Sequence, residues 1–595
     1  ITLALHKVFN TPTDLIVWDV GHQTYAHKLL TGRRGRFPTI RRQGGLLGFP
    51  SREESPYDAY NTGHASTALS AALGLAVARD MAGKNFRVIA VVGDGSLTGG
   101  VSWEALNQIG HLRPPMIIVL NDNEMSISQS VGAISKYLGY LASGQHYLRV
   151  KDKAKTLLKS LPGVGGVIIR AGRALEEMVK KTFFPGLVFE ELGLRYVGPV
   201  QGHSLPSLLE VFEAAKKEAD GPVLIHCVTR KGRGYVPAQN NPDHFHGAPP
   251  FDVDSGEPTS PGAKPCYSEV FGRTMIRIAG EDPRVVAITA AMCEGTGLLE
   301  YAAKRPDQFF DVGIAEQHAV NFAAGLAVGG RRPVCAIYST FLQRAYDQVY
   351  HDVCLQNLPV VFALDRSGLV PDDGPTHQGV NDIAYLRHMP NMVLAAPRDE
   401  NEMRHMLKAA FGYERPTAIR FPKGEVVGVP EDEEWRDVPP GKAETLKAGM
   451  DLVLAYGSTV YPALEAAERA EAEEAAAGRT LSLAVVDARF CKPLDEELIL
   501  DYARRGRAIV TVEEGVLAGG FGSAVLEFLN SRGFGGVRVK CLGLPVELFP
   551  VGKLSELRAR YGLDPAGLAA EFQSFFGAEG PVVAANHAGA GRNPA

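Results

Sequence analysis

Short, nearly continuous apolar runs, each closed by Gly, Asn or Asp and followed by a helical pattern, most constrain what this chain can fold into. Val88–Val92 (VIAVV) leads into Gly93-Asp94-Gly95, and Met116–Leu120 (MIIVL) leads into Asn121-Asp122-Asn123. Runs apolar at every position belong to strands buried on both faces, as in parallel sheets whose crossovers are helices. The step from Asp94 to Asn123 is that of one strand–helix–strand unit, about 30 residues. Similar runs recur at Val360–Leu364 (VVFAL) and Leu452–Ala455 (LVLA). The fold class expected is therefore α/β: three doubly wound, mainly parallel-sheet domains. A proline-rich stretch from Pro237 to Pro265 and an acidic, then Pro/Gly-rich stretch over Val429–Ala443 set the cuts. They give segments 1–262, 263–435 and 436–595, the last ending in a tail (AANHAGAGRNPA) expected to be disordered.

The 595 residues are 45% apolar and 22% charged with a net charge of −5, which excludes wholesale disorder, a collagen-like repeat and a coiled coil. Nothing in that balance is an electrostatic footprint for nucleic acid, and no apolar run spans a membrane. The seven cysteines are widely spaced with no C-x-x-C pair, the pattern of buried thiols in a reducing compartment. The basic segment Arg149–Lys181, with nine Lys/Arg against three Asp/Glu, follows the second of the apolar runs. It reads as a solvated helix pair or as a cover over a phosphate-bearing ligand. The chain opens Ile1-Thr2-Leu3, without Met and already in a helical pattern, as the interior of a longer polypeptide would.

Both Gly/Asn/Asp motifs fall at the carboxyl ends of strands, where open α/β sheets bind ligands. A hard cation such as Mg²⁺ takes oxygen ligands and often shares them with phosphates. Asp94 offers a carboxylate, Asn123 an amide oxygen, and the Met125 carbonyl a third protein oxygen. Gly93 and Gly95 allow close backbone approach, and Gly99 and Gly100 open a helix whose free N–H groups favour phosphate. Gly-Asp-Gly alone is a common strand-end turn. The two motifs together at this spacing resemble the thiamine diphosphate signature. That cofactor needs a carboxylate on its pyrimidine ring, and Glu316, at the start of an Ala/Val/Phe/Gly helix, is the candidate; a plain N-terminal helix charge or a partner for a buried base are the alternatives. Phe341 is an aromatic platform for the pyrimidine or simply core.

Longer motifs carry a resemblance to a family. They include WDVGHQTYAHK (18–28), TGRRGRF (31–37), NTGHAST (61–67), VVGDGSLTGG (91–100), NDNEMSIS (121–128), KGRGY (231–235), DVGIAEQHAV (311–320), YSTFLQRAYDQV (338–349), DRSGLV (365–370), DDGPTHQG (372–379) and PVELFP (545–550). The chain resembles the 1-deoxy-D-xylulose-5-phosphate synthases, thiamine-dependent transferases similar to transketolase. The resemblance implies decarboxylative condensation of pyruvate with D-glyceraldehyde 3-phosphate, at the entry to a non-mevalonate isoprenoid route. It implies thiamine diphosphate and Mg²⁺ as cofactors, and a homodimer with each active site between the first two domains of one chain. The three segments then become a diphosphate/Mg-binding domain, a pyrimidine-binding domain and a C-terminal transketolase-like domain.

The family's roles fall on matching positions. His22, Gly63, His64, Ala65, Gly95, Ser96 and Tyr235 match cofactor contacts, with His22 also set for proton transfer. Asp94, Asn123 and Met125 match the metal ligands, Glu316 the activating acid, and Phe341 the pyrimidine platform. His246 and His377 match active-site histidines that move protons or bind substrate. Tyr338, Arg344, Arg366, Asp373, His377, Arg420 and Lys423 match the acceptor side, with the basic ones expected to cradle its phosphate. Arg344 has a surface ion pair with Asp347 as its plainer explanation.

Three departures stand out. A Gly-Gly-His segment that the family carries upstream is absent from this sequence, Lys423 replaces a usual Arg, and VQGHS (200–204) has Gln201 and Ser204 where Asp is usual. The competing expectations are transketolase-type ketol transfer, hand-over to a lipoyl carrier, and a thiamine-binding homologue without turnover. A nicotinamide enzyme suggested by GGFG (519–522) lacks the surrounding dinucleotide fingerprint. The location expected is the bacterial cytoplasm, with a plastid left open.

Overall fold

The computed structural model describes residues 1–123, 125, 131–142, 186–217, 220–248, 250–259 and 264–577. The basic segment 149–181, the expected tail and the cut at 262–263 lie outside the described residues. Two compact units are present: Ile1–Ile40, Gly45–Pro261 and Val312–Ala315 form one, and Arg41–Gly44, Gly262–Asp311 and Glu316–Ala595 the other.

The first unit is built on five strands: β1 (Leu15–Trp18), β2 (Val88–Gly93), β3 (Ile117–Asp122), β4 (Arg195–Gln201) and β5 (Val223–Val228). Their order is β1-β2-β3-β5-β4 and every pair is parallel. Successive side chains point to opposite faces. Ala90, Val92, Ile118 and Leu120 join one core with the helices Ala68–Met81 and Gly100–Leu112. Ile89, Val91, Ile117 and Val119 join another with Leu5, Leu208 and Phe212. Both faces are therefore covered, which is why these runs carry no polar alternation. The four-residue β1 (LIVW) is not among the runs singled out in the sequence, so the basic segment follows the third strand of this unit and not the second. A run that short cannot be told from helix by pattern alone.

The second unit holds two sheets. One contains β6 (Val285–Thr289), β7 (Phe309–Asp311), β8 (Arg332–Tyr338), β9 (Val361–Asp365), β10 (Val393–Ala395), β11 (Thr417–Arg420) and β15 (Phe490–Lys492), in the order β15-β10-β11-β9-β8-β6-β7. The other contains β12 (Glu444–Lys447), β13 (Asp451–Tyr456), β14 (Leu483–Asp487), β16 (Ile509–Val516) and β17 (Val539–Leu544), in the order β12-β14-β13-β16-β17. Only β10–β15 and β12–β14 are antiparallel. β15 comes from the third sequence segment yet closes the edge of the middle sheet beside the three-residue β10, leaving that edge covered. Three mainly parallel sheets with helices on their faces are thus the architecture the sequence led us to expect.

GGFG opens the helix Phe521–Ser531, and its first N–H groups are already taken. Glu513 on β16 accepts from Phe521 N and Gly522 N, both at 2.8 Å. A carboxylate of the chain occupies the place a cofactor phosphate would need. None of the seven cysteines is in a disulfide; four are buried and Cys266, Cys293 and Cys541 are part-exposed. Among the described residues no helix is long and apolar enough to cross a membrane.

Candidate active site

In the first unit the site forms where β1, β2 and β3 end. Asp94 follows β2 directly and is 2% exposed, and its Oδ1 accepts from Asn123 N at 3.4 Å, just past β3. Asn123 Oδ1 in turn accepts from Met125 N at 3.1 Å. These two bonds link the three residues expected to ligate a cation across the adjacent ends of β2 and β3. The expected donors, Asp94, Asn123 and the Met125 carbonyl, are one carboxylate and two neutral oxygens. This donor set suits Mg²⁺, which takes few carboxylates and completes its shell with phosphate and water.

Gly95 begins a short helical turn, and Ser96 O accepts from Ser66 Oγ and from Ser102 Oγ, both at 2.8 Å. Gly99 is fixed as glycine by contact, since a Cβ there would run into Ser66 Oγ. Ser66 has φ +70° and is held by Asp19: Ser66 N and Ala68 N donate to its two carboxylate oxygens at 2.8 and 3.0 Å. Asp19, buried at the end of β1, thereby sets the Gly63-His64-Ala65 loop, a role the motif WDVGHQ held without its being read.

Val20 (φ +58°) and Gly21 (φ +91°) turn the chain at His22. The His22 and His246 rings lie 5.1 Å apart. Burial, then Lys231 and His22, pushes His246 down to about 3, so its imidazole is neutral at physiological pH. Lys231 is the second residue the sequence reading passed over, although it lies in the quoted KGRGY. Burial lowers its pKa against the pull of the Asp243 and Asp94 carboxylates. Tyr235 has its hydroxyl committed to Val253 O at 2.9 Å and its ring against Phe245 and Phe251.

In the second unit Glu316 opens the helix Glu316–Val328 and is 3% exposed. Burial raises its pKa against the nearby Arg344. Arg344 Nη1 pairs with Oε2 across 3.6 Å, longer than a hydrogen bond, and among the described residues that oxygen accepts no hydrogen bond. A buried carboxylate oxygen left so is costly and calls for a donor from elsewhere. This is the feature that fits a cofactor ring carrying an N–H.

Phe341 stacks with Tyr338 at 5.7 Å and meets His377 edge-on at 5.5 Å; His377 Nδ1 is 2.8 Å from Thr376 Oγ1. The Arg366 guanidinium lies 3.9 Å over the Tyr338 ring. Burial pushes Asp373 up, but His377, Arg41 and Lys423 outweigh it and hold the carboxyl below its usual range. Tyr338, Phe341, Arg366, Asp373, His377 and Lys423 are thus linked by direct contact or charge.

One expected member of the phosphate cradle is already engaged by the protein. Arg420 is 4% exposed, its Nε reaches both oxygens of buried Asp382 at 3.1–3.2 Å, and its Nη2 donates to Glu514 O at 3.0 Å. Its fork is consumed by the protein. Arg344 lies beside Glu316, Nη1 3.6 Å from Oε2, a buried partner that the sequence did not indicate.

Comparison with known proteins gives the family. Residues 1–229 match the family model described as 1-deoxy-D-xylulose-5-phosphate synthase, residues 263–427 that of the transketolase pyrimidine binding domain, and residues 441–568 that of the transketolase C-terminal domain. Fold and models together define a transketolase-like, thiamine diphosphate- and Mg²⁺-dependent transferase. The 1-deoxy-D-xylulose-5-phosphate synthase 1 of Geobacter sulfurreducens is 55% identical over 584 residues, covering 98% of this chain and 90% of that protein. The synthase 2 of the same organism is 53% identical over 577 residues, covering 96% and 91%. The synthase of Pelotomaculum thermopropionicum is 53% identical over 564 residues, covering 95% and 87%. The chain belongs to the 1-deoxy-D-xylulose-5-phosphate synthase family.

Proposed function

We propose that this chain condenses pyruvate with D-glyceraldehyde 3-phosphate to 1-deoxy-D-xylulose 5-phosphate, with release of CO₂. Membership of the family carries the reading, and the buried Glu316 oxygen that accepts no hydrogen bond among the described residues is the structural feature that fits it. When bound, thiamine diphosphate would supply a carbon nucleophile for the pyruvate carbonyl and an electron sink for the pair released as CO₂ leaves.

The residues divide the remaining work. Asp94, Asn123 and the Met125 carbonyl hold Mg²⁺, while Gly95, Ser96 and the Gly63-His64-Ala65 loop accommodate the diphosphate. Glu316 fixes a ring N–H, and Arg344 beside it keeps the carboxyl from retaining its own proton too tightly. Phe341 supports the ring from one face. His22 and neutral His246 accept and return protons at the reacting carbons, and buried Lys231 offsets negative charge beside them. Tyr235 packs the wall. On the acceptor side Arg366 and Lys423 attract the phosphate dianion, since a buried dianion must be paired, and Tyr338, Asp373 and His377 orient the aldehyde. The relatives are bacterial, and a homodimer in the bacterial cytoplasm is the setting proposed for these reactions.

The test is an assay with both substrates, with and without thiamine diphosphate and Mg²⁺. Equal yields of CO₂ and five-carbon sugar phosphate, dependent on both cofactors, support the proposal. Ketose formation from sugar phosphates alone, with pyruvate untouched, would replace it by ketol transfer.

A further inference from the structure

Arg366 lies just past β9 in a left-handed backbone conformation, φ +58°. A β-region or helical backbone would cost a long side chain nothing, so something holds it there. One carboxylate does much of this: Asp365 Oδ1 accepts from Arg366 N at 2.7 Å, and Asp365 Oδ2 accepts from Arg366 Nη1. Asp365 is 1% exposed and also accepts from Ser268 Oγ at 2.7 Å. Arg366 Nη1 donates further to Ser268 Oγ at 3.1 Å and to Gly295 O at 2.7 Å. Three acceptors thus converge on a single nitrogen.

The neighbouring edge of the fork, Nε and Nη2, makes no hydrogen bond to any described residue. Arg420 provides the contrast. It too pairs with a buried carboxylate, but it spends its Nε–Nη2 edge on Asp382 and Glu514 O. An arginine kept only to balance Asp365 would be expected to look like Arg420. Arg366 instead keeps 16% of its side chain exposed, with the Tyr338 ring packed under it. Gly295 packs against the hydroxyl end of that ring. Its carbonyl holds Arg366, and a Cβ at Gly295 would collide with Tyr338 Oη.

We propose that Ser268, Asp365 and Gly295 are positioning residues that fix the Nε–Nη2 edge of Arg366 over Tyr338 as a preformed phosphate recess, and so set the preference for phosphorylated acceptor aldehydes. The inference rests on the reading of Arg366 as the acceptor-phosphate ligand. A guanidinium already locked by three bonds and a stacked ring loses little freedom when the phosphate arrives, and affinity gained this way appears only with acceptors that carry the phosphate.

The experiment compares wild type with Ser268→Ala, Asp365→Asn, Gly295→Ala and Arg366→Ala, all with thermal melts. It measures kcat and KM for D-glyceraldehyde 3-phosphate, for unphosphorylated D-glyceraldehyde and for pyruvate, and calorimetric binding of glycerol 3-phosphate as an unreactive probe. Ser268→Ala and Gly295→Ala should raise the KM for the phosphorylated acceptor about tenfold, as loss of one charge-assisted hydrogen bond would. Probe binding should weaken by the same factor, while the KM for pyruvate and the use of unphosphorylated glyceraldehyde stay near wild type. Gly295→Ala is the sharper variant, because it keeps the carbonyl and moves only the ring. Ser268→Ala, which removes a hydroxyl and no charge, keeps the test open should Asp365→Asn unfold. If Arg366→Ala loses acceptor selectivity but Ser268→Ala and Gly295→Ala retain it, the positioning role is wrong and the acceptor reading stands. If Arg366→Ala impairs both acceptors equally, the acceptor reading fails and the inference fails with it.

Discussion

Asp94 and Glu316 are the two single residues to which the proposed function gives most of the chemistry, and they make different predictions. Asp94→Ala should abolish the Mg²⁺-dependent part of thiamine diphosphate binding, because the other expected ligands, Asn123 and the Met125 carbonyl, are neutral oxygens. Calorimetry in Mg²⁺ checks this, and unchanged affinity would remove Asp94 from the metal site. Glu316→Gln should leave cofactor binding largely intact and lower turnover by orders of magnitude. Exchange of the cofactor's thiazolium C2 proton, followed by NMR, should slow in parallel. At this scale the sequence was readable where a motif holds its own partners: Asp94 and Asn123 announce each other by spacing, and the structure joins them by a hydrogen bond. It was not readable for Arg344 and Arg420. Their partners, Glu316 and Asp382, lie in other elements, and an isolated arginine in a motif does not say which carboxylate it will meet. Asp19 and Lys231 went unread for the opposite reason, since each sits inside a quoted motif whose histidine, glycine or tyrosine drew the attention.

Among the elements, the helix Phe521–Ser531 depends on a carboxylate from the neighbouring strand. Glu513 satisfies two backbone N–H groups that are buried with it. Glu513→Ala would orphan both, and each unsatisfied buried donor costs about 1–3 kcal/mol. A loss of about 2–4 kcal/mol by chemical denaturation is expected, and a change under about 0.5 kcal/mol would show that water or a local shift replaces the cap. The long strands were legible because burial on both faces leaves an unbroken apolar run. β1 was missed because four residues carry too little pattern. β15 joins a sheet from another segment through an antiparallel edge contact, and no local signal in Phe490–Lys492 announces which sheet it will enter.

For the whole molecule, two half-buried histidines contribute to the loss of stability in acid. Burial is the leading cause that pushes His246 from 6.5 to about 3 and His6 from 6.5 to about 4. The folded chain therefore binds fewer protons than the unfolded chain between pH 6.5 and those values. Their contribution is intact above pH 6.5 and is lost progressively as pH falls toward 4 and then 3. His246→Asn should make the decline of melting temperature across that window shallower; an unchanged slope would mean that His246 titrates normally in the folded state. The central claim concerns the whole catalyst, and following the carbons of pyruvate tests it most directly. With pyruvate labelled separately at its carboxylate and at its carbonyl carbon, and D-glyceraldehyde 3-phosphate as acceptor, the account predicts that the carboxylate label leaves as CO₂. The carbonyl label should enter the five-carbon product in equal amount, only when thiamine diphosphate and Mg²⁺ are both present. Labelled pyruvate recovered intact while sugar phosphates exchange two-carbon units would contradict it.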